Sequence, residues 1–93
     1  MNNEEKKGFF DANKITYELL IERLQEMSGR DLIEATKAVR IESDDNFLKQ
    51  ASLMWQAAVI AYAFDIPIDD VLDLPSKKMS KLGIDVQAFF LSP

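Results

Sequence analysis

The stretch from Trp55 to Phe64, WQAAVIAYAF, limits the possible folds more than any other part of the chain. Read back to Asn46, the spacing predicts one helix over 46–64, roughly 28 Å long at 1.5 Å per residue, with Asp44 or Asp45 as its cap. Phe47, Leu48, Ala51, Met54, Trp55, Ala58 and Tyr62 fall on one face, and Leu53, Ala57, Ile60 and Phe64 on another. A helix that is apolar on two faces must be covered on both, so it belongs in the middle of the domain. Pro67 disfavours helical geometry at Ile66, so the helix must stop near Asp65. Trp55 and Tyr62 invite a binding-site reading, but aromatics at helical spacing in a small domain read first as core.

The rest of the chain supplies what packs around this helix. Residues 1–14 read as a flexible or partly extended N-terminal segment, and 15–93 as a single helical domain. GFFDANKITYELLIERL, beginning at Gly8, supports two readings. Ile15, Tyr17, Leu19 and Ile21 alternate as in a half-buried strand, with Asp11 to Asn13 able to turn Phe9 and Phe10 back against it, whereas Leu20, Ile21, Leu24 and Met27 fit a helix face. Ile, Thr and Tyr together at its start favour an extended arm or hairpin. Ser28 and Asp31 then open a helix running to about Ile41, flanked by Met27 and Leu32 at the positions of a hydrophobic staple, with Leu32, Ala35, Thr36 and Val39 as its stripe.

Beyond Pro67, Ile68 to Leu74 suits one or two helical turns with Ile68, Val71 and Leu72 inward, and Pro75 ends them. Ser76 can cap a last helix whose stripe is Met79, Leu82, Val86 and Phe89 or Phe90, weakened at Gly83 by about 1 kcal/mol relative to Ala. The expected fold is mainly α, three to four helices with an N-terminal extended arm or short β-hairpin. Successive helical residues turn by about 100°, so Phe89, Phe90 and Leu91 fan around most of the last helix and one core cannot bury all three. The surplus face is either covered by Phe9 and Phe10 or offered to another chain. The second is favoured, which makes Phe89, Phe90 and Leu91 the candidate partner-binding residues.

Composition narrows the function classes. At 93 residues and 47% hydrophobic, the chain suits one core and has no room for a deep, separately walled cleft. It has no cysteine and no histidine. This removes disulfides, Cys-His and Ser-His nucleophiles and nearly all zinc sites, and fits a reducing cytoplasm. The pair Glu22 and Glu26 could in principle serve acid and base roles, but nothing in the sequence brings a pocket to them. No enzyme activity, catalytic residue, cofactor or metal site is expected.

A net charge of -5 repels a phosphate backbone, so no nucleic-acid partner is expected either. Lys77, Lys78 and Lys81, the one dense basic cluster, follow Asp69, Asp70 and Asp73 and read as a solvated helix end. MNNEEKKG has no apolar signal core, and the longest apolar run, Ala57 to Phe64, is far short of the ~20 residues that span a bilayer. A soluble, cytoplasmic protein without a membrane partner is the expectation.

Three motifs remain. DDVLD, Asp69 to Asp73, resembles the magnesium-diphosphate motif of isoprenoid synthases, but it occurs once and reads as an acidic helix start. AVIAYAFDIPIDDVLDL resembles the closing part of a repressor-type helix-turn-helix domain. The base-reading helix of such a domain carries Arg, Lys, Gln or Asn, and the long helix here has one lysine, Lys49.

The third is an order of motifs. SGRDLIEA at Ser28 to Ala35, the apolar helix, AYAFDIPIDDVLDLP at Ala61 to Pro75 and a terminal helix ending VQAFFL follow one another over about residues 15 to 91. Together they resemble the small tail assembly chaperones of long-tailed bacteriophages and prophages. Each motif alone is ordinary capping and turn grammar; their order and spacing carry the resemblance. The chain departs from the pattern at Ser76, Lys77 and Lys78, where the family often has an acidic residue after Leu-Pro, and at Asp65, where a glycine would end the helix more comfortably.

The resemblance implies a non-enzymatic role in tail morphogenesis. Such proteins coat the tape measure protein and help recruit major tail tube protein in the bacterial cytoplasm, and many occur in a short form and a longer frameshifted one. This chain looks like the short form. The partners implied are the tape measure and tail tube proteins, with self-association open to it. An acidic helical domain presenting apolar helix faces is suited to helix-in-groove binding. The alternatives are a helical protein-protein adaptor or a helix-turn-helix-like regulator.

Overall fold

The computed structural model describes residues 10–39 and 52–91. Among them the chain is mainly α, without strands, and forms a short 3-10 turn at Ala12–Lys14 and five helices: α1 Tyr17–Glu26, α2 Gly29–Lys37, α3 Leu53–Phe64, α4 Ile68–Leu72 and α5 Ser76–Leu91. Five helices exceed the three to four expected because the segment after Ile15 is helical.

That helix corrects the leaning towards an extended arm or hairpin. Thr16 is its N-cap, its Oγ1 accepting from Leu19 N at 3.2 Å. Leu20 and Leu24, one turn apart, are buried, whereas Tyr17 is 53% exposed. A strand would have turned Ile15, Tyr17, Leu19 and Ile21 to one side. The central helix instead offers a surface that a 3.6-residue period covers better, so tertiary contact overrides the β-branched start. In place of the hairpin turn expected at Asp11 to Asn13 stands the 3-10 turn, capped by Asp11, whose Oδ1 accepts from Asn13 N at 2.9 Å. It brings Phe10 onto Phe64, ring centroids 5.1 Å apart and stacked. Phe9 lies outside the described residues.

Ser28 and Asp31 open α2 with a reciprocal capping box: Ser28 Oγ accepts from Asp31 N and Asp31 Oδ2 accepts from Ser28 N, each at 3.1 Å. Met27 and Leu32 are half-buried against the core on either side of it.

α3 lies in the middle, in contact with α1, α2, α4 and α5. Every residue from Trp55 to Ala61 is buried, as is Phe64. Its start differs from the expectation. Ser52 is extended, and its hydroxyl accepts from Trp55 N at 3.3 Å, so the helix begins at Leu53. The Asp44 or Asp45 cap and Phe47, Leu48, Lys49 and Ala51 lie outside the described residues. Leu53, Met54 and Tyr62, assigned to inward faces, are exposed. They lie in the first two and last three residues of α3, outside its fully buried run from Trp55 to Ala61.

Trp55 is buried and its Nε1 donates to Thr36 Oγ1 at 2.9 Å, while the Thr36 hydroxyl donates to Leu32 O at 2.9 Å. This two-step relay satisfies the indole N-H in the core and ties α3 to α2.

α3 ends in a Schellman turn. Asp65 takes the left-handed conformation (φ 57°, ψ 49°), Asp65 N donates to Tyr62 O at 3.3 Å, and Ile66 N donates to Ala61 O at 2.9 Å. Arg23 reinforces this end: its Nη1 donates to Ala63 O at 3.1 Å, and its guanidinium carbon lies 4.9 Å from the Phe64 ring centroid.

α4 follows Pro67. Val71 and Leu74 are buried and Ile68 is half-buried, but Leu72, expected inward, is exposed. A five-residue helix presents about one inward turn, and Val71 occupies it.

Pro75 O accepts from Met79 N at 2.9 Å, so Ser76 is the first residue of α5 rather than its cap. Met79, Leu82, Gly83 and Val86 form the buried stripe. Gly83 is where α5 comes closest to α3: a Cβ there would fall on Gln56 Oε1 and lie 3.2 Å from Gln56 Cδ.

Candidate functional site

The sequence points to the end of α5, and the structure separates the three residues singled out there. Phe90 is half-buried, its ring edge-on to Trp55 with centroids 5.9 Å apart. Phe89 is half-buried too, edge-on to Phe90 at 5.0 Å. Leu91 is 50% exposed. The two aromatics thus extend the core, and Leu91 faces outward. Phe10 does not cover this face, because it is occupied with Phe64 at the other end of α3.

Leu91 does not stand alone. Ile84, at 63% the most exposed large apolar side chain among the described residues, and the exposed Ala88 precede it at helical spacing. Residues 84, 88 and 91 fall on one side of a helix, nearly opposite the buried Met79, Leu82 and Val86 and the half-buried Phe90. Sequence reasoning missed Ile84 by following the inward stripe alone. The complementary positions on the same helical wheel carry the signal.

The same outward face continues towards the start of α5 as the exposed Ser80, Lys81 and Lys77. A helix face that is basic in its first half and apolar in its second is therefore open to solvent. Beside the basic half lies a groove of about 480 Å³, between the Ile15–Tyr17 segment and α5. The buried Ile15 and Leu82 form its floor, and Lys77, Lys78 and Lys81 edge it. Lys78 Nζ donates to Asn13 O at 2.7 Å, which holds that ammonium in place. Asp85 also lines the groove. Its Oδ2 is buried without a hydrogen-bond partner, 3.8 Å from Lys81 Nζ.

A second groove of about 450 Å³ runs beside the Schellman turn, along Ala58, Ala61, Tyr62, Ile66 and Pro67. Apart from Asp65 it carries no charged side chain.

The acidic motifs are not brought together. Asp69, Asp70 and Asp73 are exposed around α4, and Glu22 and Glu26 are exposed on α1. Among the described residues no group of three or more His, Cys, Asp or Glu could hold a metal ion, and no helix is long and apolar enough to cross a membrane. Comparison with protein-family profiles, with curated proteins and with solved structures finds no match to this chain.

Proposed function

We propose that this chain is a tail assembly chaperone of a long-tailed bacteriophage or prophage, a non-enzymatic protein that binds the tape measure protein and helps recruit tail tube subunits in the host cytoplasm. The observation that carries the reading is the outward apolar face of α5, Ile84, Ala88 and Leu91. Three apolar residues at i, i+4 and i+7 form the type of stripe by which one helix docks on another. A long helical partner that aggregates when uncovered has the complementary chemistry. The order of the helix starts and turns from Ser28 to Leu91 supports the same reading. A regulator that reads DNA is less well supported, because α3 carries no cation.

The test is co-expression with the long helical tape measure protein that this reading expects in a neighbouring reading frame. The parent is expected to keep that protein soluble, and Ile84→Asp with Leu91→Asp to leave a folded domain that no longer does so. Phe90→Asp is unsuitable because that ring packs on Trp55. Equal rescue by the double variant, or a neighbouring reading frame that encodes no long helical protein, would sink the proposal in favour of a general adaptor.

A further inference from the structure

We infer that the lysine-edged groove beside α5 is a docking site for an acidic segment of a partner protein, one that sets carboxylates next to an aliphatic or aromatic side chain. The inference rests on the reading of α5 as the partner-binding helix and adds the chemistry of what it binds. The whole chain is acidic, at -5, yet three lysines and only one aspartate line this groove. Asp85 is largely withdrawn, its side chain 14% exposed and next to Lys81. The local sign is therefore opposite to that of the molecule, and such complementarity selects partners and fixes register.

Lys78 adds preorganisation. One of its three N-H donors is spent on Asn13 O, which leaves two at a fixed position and lowers the ordering cost of an incoming carboxylate. The floor of Ile15 and Leu82, with the exposed Tyr17 at the edge, offers apolar contact to the side chain between the carboxylates.

The groove also adjoins the proposed interface. Lys77 and Lys81 share the outward face of α5 with Ile84, Ala88 and Leu91. The centres of the two halves lie about 13 Å apart along the axis at 1.5 Å per residue. A partner helix lying on α5 would thus carry acidic residues about that far from its apolar anchors. Nucleic acid fits less well, because Asp69, Asp70 and Asp73 stand exposed just before the lysines.

The experiment is fluorescence anisotropy with two labelled helical peptides of one scaffold. Both carry a Leu stripe; one has Glu about 13 Å along the helix from that stripe, the other Lys at the same positions. The acidic peptide is expected to bind the parent at least about tenfold more tightly than the basic one, and to weaken as salt rises from about 50 to about 500 mM. Lys77→Glu with Lys81→Glu should abolish the preference. Because the new Glu at position 81 would face Asp85, Lys77→Gln with Lys81→Gln serves as a neutral variant with an intermediate loss, and thermal melts check that both fold.

Equal binding of the two peptides, no binding of the acidic one, or an unchanged preference in both variants overturns the inference. So does binding of the parent to phosphatidylglycerol vesicles in place of the acidic peptide. If the charge-reversed variant still protects the tape measure protein while the Ile84 and Leu91 variant does not, the chaperone reading stands and the groove's role in it falls.

Discussion

Replacing Gly83 by alanine separates helix propensity from packing. Propensity alone favours the change, because alanine stabilises a helix interior by about 1 kcal/mol relative to glycine. The packing opposes it. The new Cβ would fall on Gln56 Oε1 and crowd Gln56 Cδ at 3.2 Å, while Leu53 Cδ2 at 3.4 Å is an ordinary contact. Gln56 cannot simply swing away, since it is 3% exposed and holds an interaction of its own. Overpacking of this kind costs about 1 to 3 kcal/mol, and an overlap on a buried amide belongs in the upper half of that range.

Gly83→Ala should therefore destabilise by about 1 to 2 kcal/mol, a fall in melting temperature of roughly 5 to 15 °C for a domain of this size. Thermal melts followed by far-UV circular dichroism provide the assay, with urea titration to check that the slope is unchanged. With Gln56→Ala as background the obstruction is gone, and the same substitution should stabilise by up to about 1 kcal/mol. A rise in melting temperature on Gly83→Ala in the parent would refute the close approach of α3 and α5.

Four further outcomes are expected. Thr36→Val should destabilise by about 1 to 3 kcal/mol in thermal melts, because it strands the buried Trp55 N-H that now donates to Thr36 Oγ1. Trp55 fluorescence should shift in the same variant if the relay orients the ring. Ser28→Ala removes half of the capping box and should cost about 1 kcal/mol, read from urea titration, without weakening any partner beyond what lost stability explains. Asp65→Gly should stabilise by roughly 1 kcal/mol in the same measurement, since the position has φ 57° and glycine adopts it without steric penalty. Millimolar magnesium or calcium should leave the melting temperature unchanged, because the exposed carboxylates of Asp69, Asp70 and Asp73 face no second ligand cluster among the described residues; a saturable rise would show a cation site there.

Features that depend on near neighbours in the chain can be read from the residues alone. The capping box at Ser28, the stop near Asp65 enforced by Pro67, the central position of a helix apolar on two faces and the inward stripe of α5 all follow from spacings of five residues or fewer. Local hydrogen bonds and helical periodicity do not depend on what lies across the core. Contacts across the core settle the rest. Ile15 to Met27 carries both a strand pattern and a helix pattern, and only the surface of α3 chooses between them. The start of α3 at Leu53 similarly follows from Ser52 being extended where the periodicity alone would have continued the helix.

Gly83 shows the same division: in sequence it is a weak point in a helix, and in the fold it is where two helices meet too closely for a side chain. The candidate site followed suit. Phe89, Phe90 and Leu91 were identifiable as more apolar surface than one core can hold, but their apportioning was not, because burial is set by the partner side chain. Trp55 draws Phe90 inward, and Leu91 is left with Ile84 and Ala88 on the face that nothing among the described residues covers.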